Sequence, residues 1–434
     1  MAAGEEAGKR ARRDGMSSLW QATAVPAPAT EPVVGKTDAD VLIVGGGYTG
    51  LSTAFHLAGA GRSVVVVEAG DIGSGASGRN GGQVNPGFKL DPRDAISQLG
   101  AEAGERALAF AAGAPDLVFD LIERHGLRCD ARRPGWLMPA HDAAAFEALK
   151  RRADDWSQRG VAMRILQKAD AQAQLGTAAY HGAALDPRGG SIQPLSYARE
   201  LARLAIGTGA RVFTHSPVRT LSREGGKWVA QTGNGSVCAP AVVVATNGYT
   251  DDLVPRLRRT IIAANSFQLA TAPLDETLAR SILPGGHTAS DSRRIVLYFR
   301  KDCDNRFVIG GRGQFDDPAD PDDFAHLRKA LVRLFPALKD VAVEHHWAGR
   351  VALTRDGIPH VHEPQPGMLV ALGYNGRGVA MATAMGKAIA ERLCNAEAMA
   401  LPFPPSAIAP IPFHRFQRFY LGAAINWFML RDAL

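Results

Sequence analysis

Cysteine is scarce in this chain, and no motif gathers it into a metal site. Four cysteines occur among 434 residues, and none belongs to a Cys-x-x-Cys pair. Their wide spacing is typical of free thiols in a reducing compartment, so we expect a cytoplasmic protein without a structural metal ion. These cysteines are Cys129, Cys238, Cys303 and Cys394.

Long apolar runs and dense positive tracts are also missing. No apolar stretch reaches the roughly 18 residues that span a bilayer, so we predict no transmembrane segment. A formal net charge of +6 is small for this length, and no Lys/Arg tract carries interleaved aromatic residues, so nucleic acid is not an expected partner. The basic residues 9–13 precede no apolar segment, which argues against a secretory signal. We predict residues 1–37 to be a disordered extension.

Glycine, by contrast, is concentrated at particular points. Gly45-x-Gly47-x-x-Gly50 follows the apolar run Val41–Val44 and precedes a helical pattern. A second apolar run ends at Glu68, close to the spacing of roughly 20 residues expected for a ribose-binding carboxylate. The glycines allow a tight turn and close approach to a pyrophosphate, which the helix start attracts. The pattern predicts a dinucleotide site in a Rossmann-type unit; a βαβ unit without a ligand is the alternative.

A second glycine-rich stretch spans residues 73–83. Its small residues surround Arg79 and Asn80, which favours a backbone that passes close to a ligand while side chains fix that ligand. A loose surface loop is the alternative interpretation.

Two further strands end in small polar or glycine-rich turns. The apolar run 241–244 leads into Thr246-Asn247-Gly248, and the strand 368–373 leads into the turn 374–379, which opens a helix over 380–393. Strands of a doubly wound sheet end at its ligand-binding edge. Two glycine turns at helix starts suit a flavin, since one helix dipole can face the pyrophosphate and the other an electron-rich ring.

These motifs resemble those of the FAD-dependent amine and amino-acid oxidoreductases, the group of D-amino-acid oxidase, glycine oxidase and sarcosine oxidase. The resemblance covers roughly residues 38–400 and is strongest to the gamma-glutamylputrescine oxidases within that group. It rests on the first glycine turn with Glu68 and on three further segments. These are Ala76-Ser77-Gly78-Arg79-Asn80-Gly81-Gly82, Ala245-Thr246-Asn247-Gly248-Tyr249 and Gly373-Tyr374-Asn375-Gly376-Arg377-Gly378-Val379.

The resemblance implies an α/β fold, in which a Rossmann-type FAD-binding domain of the glutathione-reductase-like kind adjoins a mixed α+β substrate domain. A chain of 434 residues is long for one core, which agrees with two domains. We assign residues 38–92, 185–255 and 346–400 to the FAD-binding domain, 93–184 and 256–345 to the substrate domain, and 401–434 to a C-terminal tail with a helix.

The resemblance also implies the cofactor contacts. Glu68 is expected to bind the adenosine ribose, and Gly376 and Gly378 to present backbone N–H groups to the flavin ring. The predicted contacts are Gly45, Gly47, Tyr48, Thr49, Gly50, Glu68, Ala69, Ser77, Arg79, Asn80, Gly81, Gly82, Gln83, Val218, Asn247, Gly376, Arg377, Gly378 and Val379.

Four residues are predicted to line the substrate side: Tyr298, Arg312, Trp347 and Tyr374. The three aromatic side chains could form a wall for a cationic substrate. Ordinary core packing is the alternative for each of them.

Two departures from the family pattern bear on the chemistry. Relatives that oxidise free amino acids hold the substrate carboxylate with an Arg two residues after the position of Gly349. That position is Val351 here, and Arg350 is expected on the opposite face of the strand, which favours an amine substrate. Sarcosine oxidases attach the flavin through a Cys before the strand that contains Tyr298. Residues 294–297 contain no Cys, so we expect noncovalent FAD.

The implied function is oxidation of a C–N bond in a primary or secondary amine resembling gamma-glutamylputrescine, giving an imine, then an aldehyde, with hydrogen peroxide. Oxygen or an electron carrier takes the electrons. Three alternatives stay open. They are a flavin dehydrogenase or oxidase of glycine, sarcosine or a D-amino acid that reduces a carrier, a tRNA-modifying flavoprotein, and a nucleotide-sensing module without catalysis.

Overall fold

The computed structural model describes residues 17–395, 400–419 and 421–422. Most of the helix predicted in the C-terminal tail therefore lies outside the described residues. Among the helices that are described, none combines the length and the apolar character needed to cross a membrane.

The N-terminal segment is folded from residue 17 onward, so the prediction of disorder is wrong for residues 17–37. Helix α1 (Leu19–Thr23) buries Leu19 and Trp20, and strand β1 (Gly35–Asp38) follows. Full burial of a large apolar side chain stabilises a fold by about 1.5–3 kcal/mol, which outweighs the polar composition on which the prediction rested. Residues 1–16 lie outside the described part.

A six-stranded sheet collects strands from distant parts of the chain. In space the order is β19-β20-β13-β2-β3-β9, and every neighbouring pair is parallel except β19 with β20. The central strands are short apolar runs that are almost wholly buried, as expected for a parallel sheet covered on both faces. The strands are β2 (Val41–Val44), β3 (Val64–Val67), β9 (Arg211–Phe213), β13 (Ala241–Val244), β19 (His360–His362) and β20 (Met368–Leu372).

Five helices share one hydrophobic core with this sheet. They are α2 (Tyr48–Gly59), α3 (Pro92–Leu99), α4 (Ala101–His125), α7 (Pro194–Gly207) and α10 (Gly378–Cys394). Helices α2 and α10 approach each other closely. A Cβ at Gly386 would lie 2.6 Å from Cβ of Ser52, so α10 needs glycine there to reach α2. Ser52 Oγ donates to the carbonyl of Thr383 at 2.7 Å. Because β2 and β20 are both parallel to β13, α2 and α10 begin at the same edge of the sheet.

A four-stranded sheet of order β1-β12-β11-β10 shares the core below the parallel sheet. Its remaining strands are β10 (Thr220–Glu224), β11 (Lys227–Gln231) and β12 (Gly235–Ala239). Trp228 and Val237 pack in one cluster with Leu42 and Val65 of the parallel sheet.

The second large sheet has eight strands in the order β18-β14-β17-β16-β15-β5-β7-β6, and all its pairs are antiparallel except β5 with β15. Its strands are β5 (Trp136–Ala140), β6 (Arg164–Leu166), β7 (Gly182–Asp186), β14 (Ile262–Pro273), β15 (Thr288–Ser290), β16 (Tyr298–Lys301), β17 (Arg306–Arg312) and β18 (Val343–Leu353). The helices with it are α5 (Ala143–Ser157), α6 (Lys168–Leu175), α8 (Glu276–Ser281) and α9 (Ala325–Leu334). A separate short antiparallel pair is formed by β4 (Gln83–Val84) and β8 (Gly190–Ser191).

Several predictions about single elements are confirmed. The helices predicted over 101–125, 143–159 and 324–335 form as α4, α5 and α9, and the hairpin predicted around 302–305 joins β16 to β17. The predicted pairing of a Rossmann-type parallel sheet with a mixed second sheet is also observed.

Candidate active site

The first glycine turn lies between β2 and α2 and depends on glycine for close packing. Gly45 has a φ of +109°, which disfavours other residues. A Cβ at Gly50 would lie 2.0 Å from the carbonyl oxygen of Gly45, so no larger residue fits. Gly47 stands at the N-cap of α2, where the free N–H groups and the positive dipole end suit a phosphate.

Glu68 lies at the end of β3, beside this turn. Its carboxylate accepts hydrogen bonds from the backbone N–H of Gly46 at 2.7 Å and of Gly70 at 3.0 Å. The acid is half-buried, whereas Ala69 is exposed and Val218 packs on the core beneath the sheet. Glu68 therefore lies where a ribose next to the turn would meet it.

The second glycine stretch folds onto the start of α2. Ser77 Oγ accepts from the backbone N–H of Tyr48 at 3.0 Å, and the hydroxyl of Tyr48 donates to the carbonyl of Ser77 at 2.6 Å. Asn80 Nδ2 donates to the same carbonyl at 2.9 Å, and Asn80 Oδ1 accepts from the N–H of Gly82 at 2.8 Å. These bonds contradict the loose-loop interpretation and show that Asn80 shapes the segment itself.

Arg79 ties this segment to the second large sheet. Its Nε donates to the carbonyl of Ser74 at 2.7 Å, while its guanidinium is exposed. Its carbonyl accepts from Gln268 Nε2 at 2.6 Å and from Trp347 Nε1 at 3.1 Å.

Residues Gly81 to Gln83 run directly under β16. A Cβ at Gly81 would lie 2.8 Å from the Tyr298 ring, and one at Gly82 would lie 2.3 Å from the carbonyl of Ile192. Gln83 is buried, with its Nε2 donating to the carbonyl of Ala289 at 3.0 Å. The side chain of Gln83 therefore anchors the strand, and only its backbone remains for a ligand.

The second glycine turn lies between β20 and α10. Gly376 has a φ of +85°. A Cβ at Gly376 or at Gly378 would meet none of the described residues within 4 Å. Open space therefore borders the N-terminus of α10, which is where a ring could approach backbone N–H groups.

The two turns are adjacent in space. The hydroxyl of Tyr374 and Oγ1 of Thr49 share a hydrogen bond of 2.7 Å, which joins the starts of α10 and α2. Asn247 at the end of β13 accepts from the N–H of Gly373 at 2.9 Å and so holds the second turn. Both helix dipoles thus point to one crevice at the carboxyl edge of the sheet.

Arg377 precedes α10 and points toward the second large sheet. Its Cζ lies 4.4 Å from the ring centroid of Trp136. Its Nη1 is buried without a hydrogen-bond partner among the described residues. Burial, reinforced by Arg152 nearby, lowers the pKa of Arg377 to about 9. Val379, which was also predicted to contact the cofactor, is a buried core residue.

Strand register places three of the four predicted substrate-side residues on one face of the second large sheet. Trp347, Gln268, Gly310 and Tyr298 are paired in a single row across four strands. The neighbouring row contains Gly349, Ser266 and Arg312. This face lies against Arg79 and Gly81. A Cβ added at Gly349 would meet Arg79, and one added at Gly81 would meet the ring of Tyr298.

Burial shifts the pKa of the titratable groups on that face. The hydroxyl of Tyr298 shares a 2.8 Å hydrogen bond with Ser266 Oγ, and burial raises the pKa of Tyr298. Burial lowers the pKa of Arg312, whose Cζ lies 5.3 Å from the Phe315 ring centroid. Sequence reasoning missed Gln268, which is buried with an unpartnered Oε1 among the described residues. Only the strand register reveals it, since its sequence context is that of any apolar strand.

The aromatic wall predicted from Tyr298, Trp347 and Tyr374 does not form. Trp347 is 3% exposed and packs edge-on against Trp20, with centroids 5.5 Å apart. Tyr374 lies in the turn that follows β20 of the parallel sheet and is equally buried, and burial raises its pKa. Core packing, the alternative considered for these rings, describes Trp347 and Tyr374.

Comparison with known proteins agrees with this geometry. The model of the DAO family, described as FAD dependent oxidoreductase, matches residues 40–392. The chain belongs to the DAO family of FAD dependent oxidoreductases. It is 34% identical to the gamma-glutamylputrescine oxidoreductase of Escherichia coli strain K12, over 91% of this chain and 93% of that relative. It is 32% identical to the probable oxidoreductase OrdL of Rhizobium meliloti strain 1021, over 95% and 97% of the two chains.

Solved structures give the same answer for the fold. The crystal structure of glycine oxidase from Geobacillus kaustophilus matches with a TM-score of 0.71 and 25% identity, covering 85% of this chain and 99% of that one. The predicted fold class, the FAD cofactor and the class of enzyme are therefore confirmed.

The residues present fit FAD. The glycine turn beside Glu68 can take a pyrophosphate and a ribose, and the open space at Gly376 and Gly378 can take a ring.

Proposed function

We propose that this enzyme oxidises a C–N bond of a primary or secondary amine of the gamma-glutamylputrescine type. In the complete reaction the amine, oxygen and water give an aldehyde, an amine or ammonia, and hydrogen peroxide. The relative that is 34% identical over 91% of this chain is named for gamma-glutamylputrescine, which supports this substrate class.

One structural observation carries the choice of an amine over a free amino acid. Val351 lies two residues after Gly349 on β18 and so shares the face that borders Arg79 and Gly81. Arg350 lies on the opposite face, where its Nη2 is 3.2 Å from Oδ2 of Asp317 and its Cζ is 5.5 Å from the Tyr249 ring centroid. No guanidinium at this position is therefore directed at a carboxylate next to the reacting amine.

FAD, when bound, supplies an acceptor for the hydrogen and electron pair of the C–H bond beside the nitrogen. The chain supplies position and electrostatics. On this face Gln268 is buried and Tyr298 and Ser266 are half-buried. An amine bound against it would be poorly solvated, which favours the neutral form that can be oxidised. Since burial raises the pKa of Tyr298, its hydroxyl stays protonated at neutral pH and orients the substrate rather than removing a proton.

The cofactor is proposed to be noncovalent. The Cys nearest in sequence to Tyr298 is Cys303, which is exposed, and its Sγ lies 3.5 Å from Oδ2 of Asp130. Partial desolvation of the sulfur, together with the nearby carboxylates of Asp130 and Asp302, raises the pKa of Cys303 to about 11, so the reactive thiolate is rare at neutral pH. Acid precipitation should therefore release a yellow supernatant, whereas a yellow pellet would contradict noncovalent binding.

The substrate class is tested by mixing the purified holoenzyme with amines without oxygen and recording the loss of flavin absorbance. The panel is gamma-glutamylputrescine, putrescine, sarcosine, glycine and D-alanine. We expect gamma-glutamylputrescine to bleach the flavin fastest. Faster bleaching by glycine or D-alanine would overturn the argument from Val351. Admitting air to the reduced enzyme then distinguishes an oxidase, which reoxidises at once, from an enzyme that needs a carrier.

A further inference from the structure

Beyond the second glycine turn lies a group of three guanidinium side chains, Arg152, Arg188 and Arg377, which we name the arginine cluster. Arg377 stacks on Trp136 with its Cζ 4.4 Å from the ring centroid. Trp136 is only 2% exposed, and its indole Nε1 has no hydrogen-bond partner within the described part of the chain. A buried N–H without a partner costs about 1–3 kcal/mol, so this donor points to a missing acceptor.

Arg188 adds further donors. Trp136 on β5 pairs with Asp186 on β7, and Arg188 Nε donates to Oδ1 of Asp186 at 2.9 Å. The side chain of Arg188 is 13% exposed and stacks on Trp156 with its Cζ 4.6 Å from the ring centroid. Its Nη1 is buried and makes no hydrogen bond to any described residue.

Arg152 completes the cluster. Its Nη1 forms an ion pair with Asp91, and its Nη2 donates to the carbonyl of Phe88 at 3.4 Å. Arg152 is one of the charges that lower the pKa of Arg377, and Asp186 partly offsets it. A Cβ added at Gly87 would lie within 4 Å of both Arg152 and Trp156. Arg152 is therefore close to the ring on which Arg188 stacks.

The charges in this group do not balance. Three guanidiniums face two carboxylates, Asp91 and Asp186, so within the described part of the chain one positive charge lacks a direct counter-charge. The unpartnered atoms are all donors: Nη1 of Arg188, Nη1 of Arg377 and Nε1 of Trp136. A planar guanidinium fork with neighbouring N–H groups matches a carboxylate, which accepts several hydrogen bonds at once.

We propose that the arginine cluster binds a carboxylate of the substrate, at a distance from the C–N bond that is oxidised. This assignment rests on the proposed function, because it places the carboxylate at the far end of an amine. It narrows the substrate class to amines that carry a remote carboxylate, such as a diamine joined through an amide to an amino acid. It also agrees with Val351, since the carboxylate is not held beside the reacting nitrogen.

The test uses the holoenzyme and glutarate as a probe that cannot be oxidised, with binding followed by calorimetry and by the shift of the flavin spectrum. Arg188→Gln should weaken glutarate binding by about tenfold to a hundredfold, as expected for loss of charged hydrogen bonds. Arg293 is a matched control, because it also pairs with an Asp two residues earlier, is 14% exposed and lies over an aromatic ring. Arg293→Gln should leave glutarate binding within about twofold of the wild type.

Two substrates give a second readout. Arg188→Gln should raise the half-saturating concentration of gamma-glutamylputrescine in anaerobic flavin reduction by about tenfold or more, and leave that of putrescine within about twofold. The proposal would be overturned if Arg188→Gln and Arg293→Gln lost glutarate affinity equally. It would also be overturned if Arg188→Gln bound glutarate as tightly as the wild type. If Arg188→Gln does not fold, Arg188→Lys keeps the charge beside Asp186 but loses the fork. It should bind glutarate about tenfold more weakly, and unchanged binding would refute the cluster's role.

The two proposals fail separately. If no amine reduces the flavin, the proposed function is wrong, whereas the glutarate comparison of Arg188→Gln with Arg293→Gln still decides whether the cluster binds a carboxylate.

Discussion

Arg377 shows how strongly one position depends on its surroundings. Its guanidinium is stacked on Trp136, is near the charge of Arg152 and forms no direct ion pair with a carboxylate among the described residues. Burial and then Arg152 lower its pKa to about 9, although Asp186 opposes them. The unfolded chain keeps this proton until about pH 12 or above, so it binds more protons than the folded protein above pH 9. Stability must then rise with pH in that window.

The corresponding prediction concerns apoprotein unfolding in urea. Between about pH 9 and pH 11, the free energy of unfolding of the wild type minus that of Arg377→Met should rise, approaching about 1.4 kcal/mol per pH unit. Arg293→Met is the control, because Asp291 raises the pKa of Arg293 although burial lowers it, and no such rise is expected. A difference between wild type and Arg377→Met that stays flat with pH would contradict the assigned titration.

At the scale of elements, helices α2 and α10 are joined at their first turns. Tyr374 and Thr49 share the hydrogen bond between them, and Gly386 and Ser52 set their distance further along. Strand–turn–helix units of this kind could be predicted from sequence, because each apolar run and glycine turn is a local pattern. The position of Tyr374 could not, since its hydroxyl partner lies far away in the chain.

Tyr374→Phe tests whether this residue is structural. Removing the hydroxyl leaves Thr49 without its partner, so we expect a loss of about 1–3 kcal/mol in stability, seen as a lower melting temperature. The kcat for the best amine should stay within about twofold, because the ring does not line the substrate face. A large fall in kcat with unchanged stability would instead restore Tyr374 to the substrate side. Tyr298→Phe serves as the comparison. Because Tyr298 lies on the substrate face, its substitution should lower kcat.

At the scale of the whole molecule, the site is assembled from segments that are far apart in sequence. The nucleotide turns could be predicted, but the arginine cluster could not, because Arg152, Arg188 and Arg377 come from three distant parts of the chain. The N-terminal helix was likewise missed. Trp20 donates from Nε1 to the carbonyl of Asn80 at 2.8 Å and lies under Arg300 at 4.8 Å, contacts that no local composition reveals. Long-range contacts of this kind decide both which aromatic rings are buried and which charges meet.

The central claim is that two glycine turns, at the starts of α2 and α10, hold one FAD molecule. A methyl group at Gly378 would enter the open space beside α10 without meeting any described residue within 4 Å, so it should spare the fold and obstruct the ring. Gly113 on α4 is the control, since a Cβ there is equally unobstructed but lies on an exposed helix surface.

The most direct measurement is titration of the apoprotein with FAD, followed by flavin fluorescence, for the wild type, Gly378→Ala and Gly113→Ala. We predict that Gly378→Ala binds FAD about tenfold or more weakly while its apoprotein melts as the wild type does. Gly113→Ala should bind FAD normally and gain up to about 1 kcal/mol of stability. FAD binding by Gly378→Ala as tight as by the wild type would contradict the account.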